Sequence, residues 1–352
     1  MSVSWPKRGP SGTGAGMTEP GNMTALLEAL SEATLIADDG RIVGANHAAR
    51  ALLGKSIEGA SLEEVISHPA ALEALNRSGS DDQSVELTGL GKSRRHWLMR
   101  VAPIDGNTRL IRFVDRSEAR AAEQMRVDFV ANASHELRTP LATLIGYTET
   151  LREQSDEIEP ETRDRFLSVV HDEALRMQRV VEDLISLSRI EAEKFTTPTD
   201  AVAIEPLIEQ ALESERRTAQ KRGSELVRDV AEELPPVAGD PSQILQLLDN
   251  LLSNALRYGE AGTPVTVSAQ ADGSMVRLSV SDCGDGIAPE HITRVTERFY
   301  RVDTSRSRSL GGTGLGLSIV KHIVERHRGR LSIDSVVGKG TTIHVLLPVA
   351  GS

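Results

Sequence analysis

The sequence predicts a multidomain α+β protein: a small α+β unit, an antiparallel helical hairpin, and a two-layer α/β sandwich. Three patterns lead there. Between Met23 and Val114, short strand-like runs are separated by Gly-containing turns. Between Arg116 and Lys194, apolar or small residues recur at alternating spacings of three and four, the period of long helices. From Ala203 to Pro348, helical and strand patterns alternate, as they do where helices cover a sheet.

Residues 1–22 are rich in Pro, Gly and Ser, lack the apolar core of a signal peptide, and read as a disordered tail. The unit at 23–115 opens with TLIADDGRIVGAN, a strand pair around the turn signal Asp39-Gly40, and continues into the helical piece NHAARALLG. SVELTGL, RRHWLMRVAP and TRLIRFVD supply further strands. His47 and His68 read as ordinary surface or core histidines, not ligands.

The hairpin is expected over 116–195. Its first stripe is Val127, Val130, Ser134, Leu137, Leu141, Leu144, Thr148 and Leu151. After the polar break EQSDEIEP, the second is Leu167, Val170, Ala174, Met177, Val181, Leu184 and Ser188. One hairpin buries both stripes poorly, whereas two hairpins from two chains bury them as a four-helix bundle. A homodimer with two-fold symmetry is therefore expected.

PTDAVAIEP, with Pro198 and Pro206, reads as a linker. The third unit, 203–350, has the candidate helices IEPLIEQALESERRTAQ, PSQILQLLDNLLSNALRYG and GLGLSIVKHIVERH. Its candidate strands are TPVTVSAQ, SMVRLSVSD, GRLSIDSV and TTIHVLLP, which predict a mixed sheet under one helical layer.

Composition limits the function. The net charge of -11 over 352 residues gives no basic footprint, so no nucleic-acid partner is expected. Cys283 is the single cysteine, which excludes an internal disulfide and fits a reducing cytosol. No apolar run approaches the roughly 18 residues of a membrane helix, so a cytoplasmic location is expected.

The strongest chemical signal is Ser134-His135-Glu136-Leu137-Arg138-Thr139-Pro140. His135 lies one position beyond the stripe, on the solvent-facing flank of its helix. A neutral imidazole nitrogen is a good nucleophile near neutral pH. Glu136 can accept the proton of the other ring nitrogen. Thr139 lies one turn along, on the same face. Farther on, the Gly311–Leu317 run GGTGLGL opens a helix, where backbone N–H groups favour a triphosphate. Its glycines follow neither the Walker A nor the Rossmann order.

SHELRTPLATLIGY resembles the H-box of the orthodox sensor histidine kinases of two-component systems. DNLLSNALRY resembles their N-box, DCGDGI their DxGxG box, ERFYR their F-box with Thr296 where Phe is common, and GGTGLGL their second glycine box. The boxes come in the family's order from about Arg116 to Pro348. MRVDFVANASHELRTPL and ERFYRVDTSRSRSLGGTGLGLSIVKHIVERHRG are similar to the phosphate-regulon, PhoR type. DDGRIVGANHAARALLG resembles a PAS domain, with no haem or flavin signature.

The resemblance implies a PAS-like sensor, a dimerisation and phosphotransfer hairpin, and an ATP-binding catalytic domain. It implies that His135 is the phosphoacceptor, that Glu136 assists as general base, and that Thr139 positions a water for regulator dephosphorylation. ATP and Mg²⁺ are the implied cofactors. Asn250 and Asn254 would hold the metal, and Arg257 and Tyr258 would approach the nucleotide. Asp282 would accept the adenine amine, with Gly284 and Gly286 letting the backbone approach the base. Arg301, Arg306 and Arg308 would reach phosphates from a lid at Asp303–Leu310, and Gly312, Thr313, Gly314, Leu315, Gly316, Leu317 and Thr341 would complete the site.

The implied partners are a second copy of the chain and a response-regulator receiver domain, whose aspartate takes the phosphoryl group. An upstream sensor or transporter partner stays open. Two alternatives fit the residues less well. A chaperone or DNA-repair type ATPase has no use for the His135 run. A dimeric scaffold without kinase activity has no need of intact Asn254, Asp282, Gly314 and Gly316.

Overall fold

A computed structural model describes residues 20–54, 56–76, 83–90, 95–153, 158–193, 196–302 and 312–351. The chain divides into two compact units, Met1–Asp128 and Phe129–Ser352. The hairpin and the α/β sandwich, separate in the sequence reading, fall largely within the second.

The first unit contains α1 (Pro20–Glu28), β1 (Ala33–Asp38), β2 (Arg41–Ala45), α2 (His47–Leu53), α3 (Leu62–Val65), α4 (Pro69–Asn76), β3 (Gln83–Thr88), β4 (His96–Asp105) and β5 (Thr108–Asp115). Its antiparallel sheet has the order β2-β1-β5-β4-β3. The β1–β2 turn is made by Asp39 and Gly40 at φ 52° and 77°, the left-handed pair that a two-residue hairpin demands. Buried Asn46 explains how α2 is set on the sheet. Its Oδ1 accepts from the N–H groups of Thr34 and Ala49, and its Nδ2 donates to the carbonyls of Leu30 and Glu32. All its bonding capacity is used internally, so it caps the helix and ties down the preceding chain at once. Leu35, Ile42, Met99, Ile111 and Phe113 fill the core.

The helix α5 (Ser117–Glu153) is followed by α6 (Pro160–Ala192). Arg176 of α6 meets Glu136 of α5 at 3.3 Å, and farther along α5 Tyr147 packs edge-on against the earlier residue Phe166 at 4.9 Å. Advancing on one helix means retreating on the other, as an antiparallel hairpin requires. Then come β6 (Ala201–Val202), α7 (Glu205–Arg222), β7 (Leu226–Val230), β8 (Val237–Ala238), α8 (Pro241–Tyr258), β9 (Val265–Asp272), β10 (Met275–Asp282), α9 (Pro289–Ile292), α10 (Gly316–Arg326), β11 (Arg330–Val336) and β12 (Gly340–Pro348).

The five-stranded sheet of the second unit has the order β11-β12-β10-β9-β7, with only the β7–β9 pair parallel. Ile244, Leu247, Leu248, Leu251 and Leu252 recur at helical spacing on α8 and meet Val267, Val276 and Leu278 of the sheet and Ile319 and Ile323 of α10. The strand β7 was not among the predicted strands. LVRDV is short and carries two charges, and its pairing with Val265–Ala269 decides its state.

The stripe expected on α6 belongs to a bundle of two chains, and within one chain part of it stays open. Leu167 and Val181 remain 51% and 42% exposed. The buried residues of α6 are Arg176, Val180, Leu187 and Ile190, and the last two join the core of the α/β sandwich. Within one chain α6 therefore also turns a second face inward, toward Glu136 of α5 at Arg176 and toward the α/β core at Leu187 and Ile190.

The fully buried His327 pins the start of α8 from the end of α10. Its Nδ1–H donates to the Ile323 carbonyl, and its Nε2 accepts the Asp240 N–H, which fixes a neutral tautomer. Burial pushes its pKa below the ordinary 6.5. The folded state thus binds protons less readily than the unfolded chain, so stability is full above that value and is lost as pH falls below it. Thermal melts at about pH 7.5 and about pH 5.5 should show a lower Tm in acid, with the drop reduced in His327→Gln.

Candidate active site

The sheet and helices of the second unit enclose a cavity of ≈ 340 Å³. The helix α8 contributes Asn250, Asn254, Arg257 and Tyr258 to its wall. Asp282 is also part of the wall. It is the last residue of β10 and pairs with Thr341 of β12, another wall residue. Its carboxylate accepts the N–H of Gly284 at 2.9 Å and also that of Thr341. Burial nevertheless pushes its carboxyl above the usual range. A half-buried carboxylate with open space before it suits a ligand N–H donor.

Gly284 is required by the protein itself. A Cβ there would lie 2.2 Å from the Tyr258 carbonyl oxygen, where the loop bridges to Gly259 at the end of α8. The crowding predicted against a base is thus met against protein backbone. Gly314, at φ +73°, sits against Phe299, whose N–H donates to its carbonyl at 2.8 Å.

The cavity's polar lining fits a nucleotide and a hard cation. Asn250 donates its Nδ2 to the Gln246 carbonyl, which leaves Oδ1 on the side of Gly316, next to Asn254. Two amide oxygens one helical turn apart suit Mg²⁺ shared with phosphate. The Arg301 side chain is buried and lines the cavity, and its Nε has no hydrogen-bond partner among the described residues, which suits an anion.

His135 is exposed on α5, and the Thr139 hydroxyl donates to its carbonyl at 3.4 Å. Glu136, the neighbouring residue, is half-buried. Its Oε2 accepts from Arg176 at 3.3 Å and from Arg301 at 2.8 Å, so the hairpin and the cavity wall share an ion pair.

Residues 239–351 match the family of histidine kinase-, DNA gyrase B-, and HSP90-like ATPases, residues 125–193 the His Kinase A (phospho-acceptor) domain, and residues 23–85 a PAS domain. The phosphate regulon sensor protein PhoR of Pseudomonas aeruginosa is 33% identical over 92% of this chain and 74% of its own length. The chain belongs to the sensor histidine kinases. It is an ATP-dependent protein-histidine kinase of the two-component type. WalK of Bacillus subtilis, a sensor histidine kinase, is 39% identical over 70% of this chain, which spans only 40% of WalK. Among solved structures, the histidine kinase AdeS of Acinetobacter baumannii is 23% identical over 61% of this chain and 98% of its own, with a TM-score of 0.49. ShkA in complex with AMPPNP is 29% identical over 65% of this chain and 46% of its own, with a TM-score of 0.47.

The kinase brings most of the predicted nucleotide residues together. Asn250, Asn254, Arg257, Tyr258, Asp282, Gly286, Arg301, Thr313, Gly314, Gly316, Leu317 and Thr341 all line the cavity. Leu315 is corrected. Its side chain is fully buried in the core, and only its N–H joins the loop, donating to the Thr313 hydroxyl. Gly284 and Gly312 do not line the cavity. Arg306, Arg308 and the expected lid lie outside the described residues. Arg179 and Asp183, not expected from the sequence, also reach the cavity from α6 of the hairpin. Their one-turn spacing was visible, but nothing in it names a partner across the chain.

Proposed function

We propose that this kinase phosphorylates its own His135 from ATP and passes the phosphoryl group to an aspartate of a response regulator. The observation that carries this is the exposed His135 beside Glu136, whose ion pair with Arg301 reaches the nucleotide cavity. An unprotonated ring nitrogen of His135 attacks the γ-phosphorus, a P–N bond forms, the bridging P–O bond breaks, and ADP leaves. Glu136 takes the proton released from the other ring nitrogen. Asp282 accepts the adenine amine, and Arg301 and the loop at Gly312–Leu317 hold the phosphates. Mg²⁺ held by Asn254 and Asn250 would supply charge neutralisation.

The functional divisions are a PAS-like sensor at 23–115, the phosphotransfer hairpin at 116–195 and the catalytic domain at 203–350. The kinase works as a homodimer. Val130, Leu141, Val181 and Ile185 leave apolar surface on the hairpin, which a second hairpin would cover. No helix among the described residues is long and apolar enough to cross a membrane, which accords with work in the cytoplasm. The likeness to PhoR favours phosphate-starvation-type signalling, with an upstream sensor or transporter as source of the signal.

Transfer of labelled γ-phosphate to the purified protein tests the reading. Acid-labile, alkali-stable label is expected, and absence of such label despite ATP binding would refute it. The Thr139→Ala variant should keep autophosphorylation within about twofold, because Thr139 is exposed and its hydroxyl bonds only its own helix among the described contacts. The same variant should lose most regulator dephosphorylation, followed as release of phosphate from a phosphorylated regulator. A parallel fall in both reactions would remove the water-positioning role.

A further inference from the structure

Two carboxylates of the hairpin hold donors that line the nucleotide cavity. Glu136 of α5 accepts from Arg301 at 2.8 Å, and Asp183 of α6 accepts from the Thr313 hydroxyl at 2.7 Å. The Thr313 oxygen also accepts the Leu315 N–H at 3.2 Å. Asp183 is thereby tied, through one oxygen, to the backbone of the glycine loop that opens α10. Asp183 and Arg179 themselves form part of the cavity wall, and both Arg179 and Arg257 lie within electrostatic reach of the carboxylate.

A hydroxyl, a guanidinium and the N–H groups at a helix start are the donors that phosphate oxygens need. A carboxylate oxygen makes the same demand of them, and a hydroxyl has one hydrogen to give. Resting on the reading of this cavity as the ATP site, we propose that Asp183 sets the nucleotide affinity of the kinase. Its carboxylate competes with phosphate for the Thr313 hydroxyl, so hairpin docking and nucleotide binding oppose each other. The contact between Glu136 and Arg301 is a second of the same kind. Nucleotide entry releases both, and the second release frees the carboxylate next to His135. By linkage, whatever strengthens docking weakens nucleotide binding by the same factor.

Calorimetric titration of the full chain with a non-hydrolysable ATP analogue and Mg²⁺ tests this on wild type, Asp183→Asn and Asp183→Ala. Both variants should bind about tenfold tighter, the size of one charge-assisted hydrogen bond. Asparagine keeps the shape of the side chain, so its result stands even if the alanine variant folds poorly. Amide hydrogen exchange across residues 176–190 should rise when nucleotide is added to wild type and should already be high in Asp183→Ala. Unchanged or weaker binding in both variants, with normal wild-type binding, overturns the inference and leaves the kinase reading intact. Binding by neither wild type nor variants overturns both. Binding by the variants alone supports the competition directly.

Discussion

Replacing His135 by Gln is expected to reduce phosphoryl incorporation from ATP to background while leaving nucleotide affinity within about twofold of wild type. Glutamine is close to histidine in length and keeps hydrogen-bonding capacity, but its amide nitrogen is no nucleophile at neutral pH. His135 is exposed on α5, and the described bonds of Glu136 run to Arg176 and Arg301, so the substitution should disturb neither the helix nor the ion pair. The stability change at such a surface position is about 0.5 kcal/mol or less. Label transfer, calorimetric ATP binding and a thermal melt on the same preparation separate these effects. Persistent acid-labile label in the variant would place the phosphoacceptor elsewhere.

Asp282→Asn should cost nucleotide affinity by roughly 10- to 100-fold, the equivalent of about 1.5–3 kcal/mol for a hydrogen bond to a charged group. The amide oxygen can still accept the Gly284 N–H, but the amide NH₂ then faces the adenine amine, donor against donor. Fold stability should move the other way. Burial raises the Asp282 carboxyl above its ordinary value, so its contribution favours folding in acid and is lost as pH rises through the raised value. Removing the charge should therefore leave the neutral-pH melt unchanged or higher. The same direction makes wild-type nucleotide binding weaken as acid protonates Asp282. Weak binding together with a lower melt would mean that the variant had damaged the sheet end rather than the ligand contact.

Much of the fold was legible because it is written locally. The left-handed turn needs Asp39-Gly40, the α8 face needs its Ile244, Leu247, Leu248 and Leu251 spacing, and both signals lie within a few neighbouring residues. The His135 run, the Asn250–Asn254 pair and the GGTGLGL loop were legible for the same reason, since each sets a short helix face or turn. The strand β7 escaped because its pairing with β9, not its own residues, makes it a strand.

The sequence by itself determined the order of the main helices and strands, the exposed position of His135 on its helix, and most of the polar cavity residues contributed by α8, β10 and the glycine loop. Only the tertiary structure decided which face of α6 is covered, that Leu315 points into the core, and that Glu136 and Asp183 hold Arg301 and Thr313. Periodicity records that a helix has an apolar face but not what will cover it. An ion pair or hydrogen bond between residues more than a hundred positions apart leaves no period in the chain, so such contacts appear only once packing has brought the partners together.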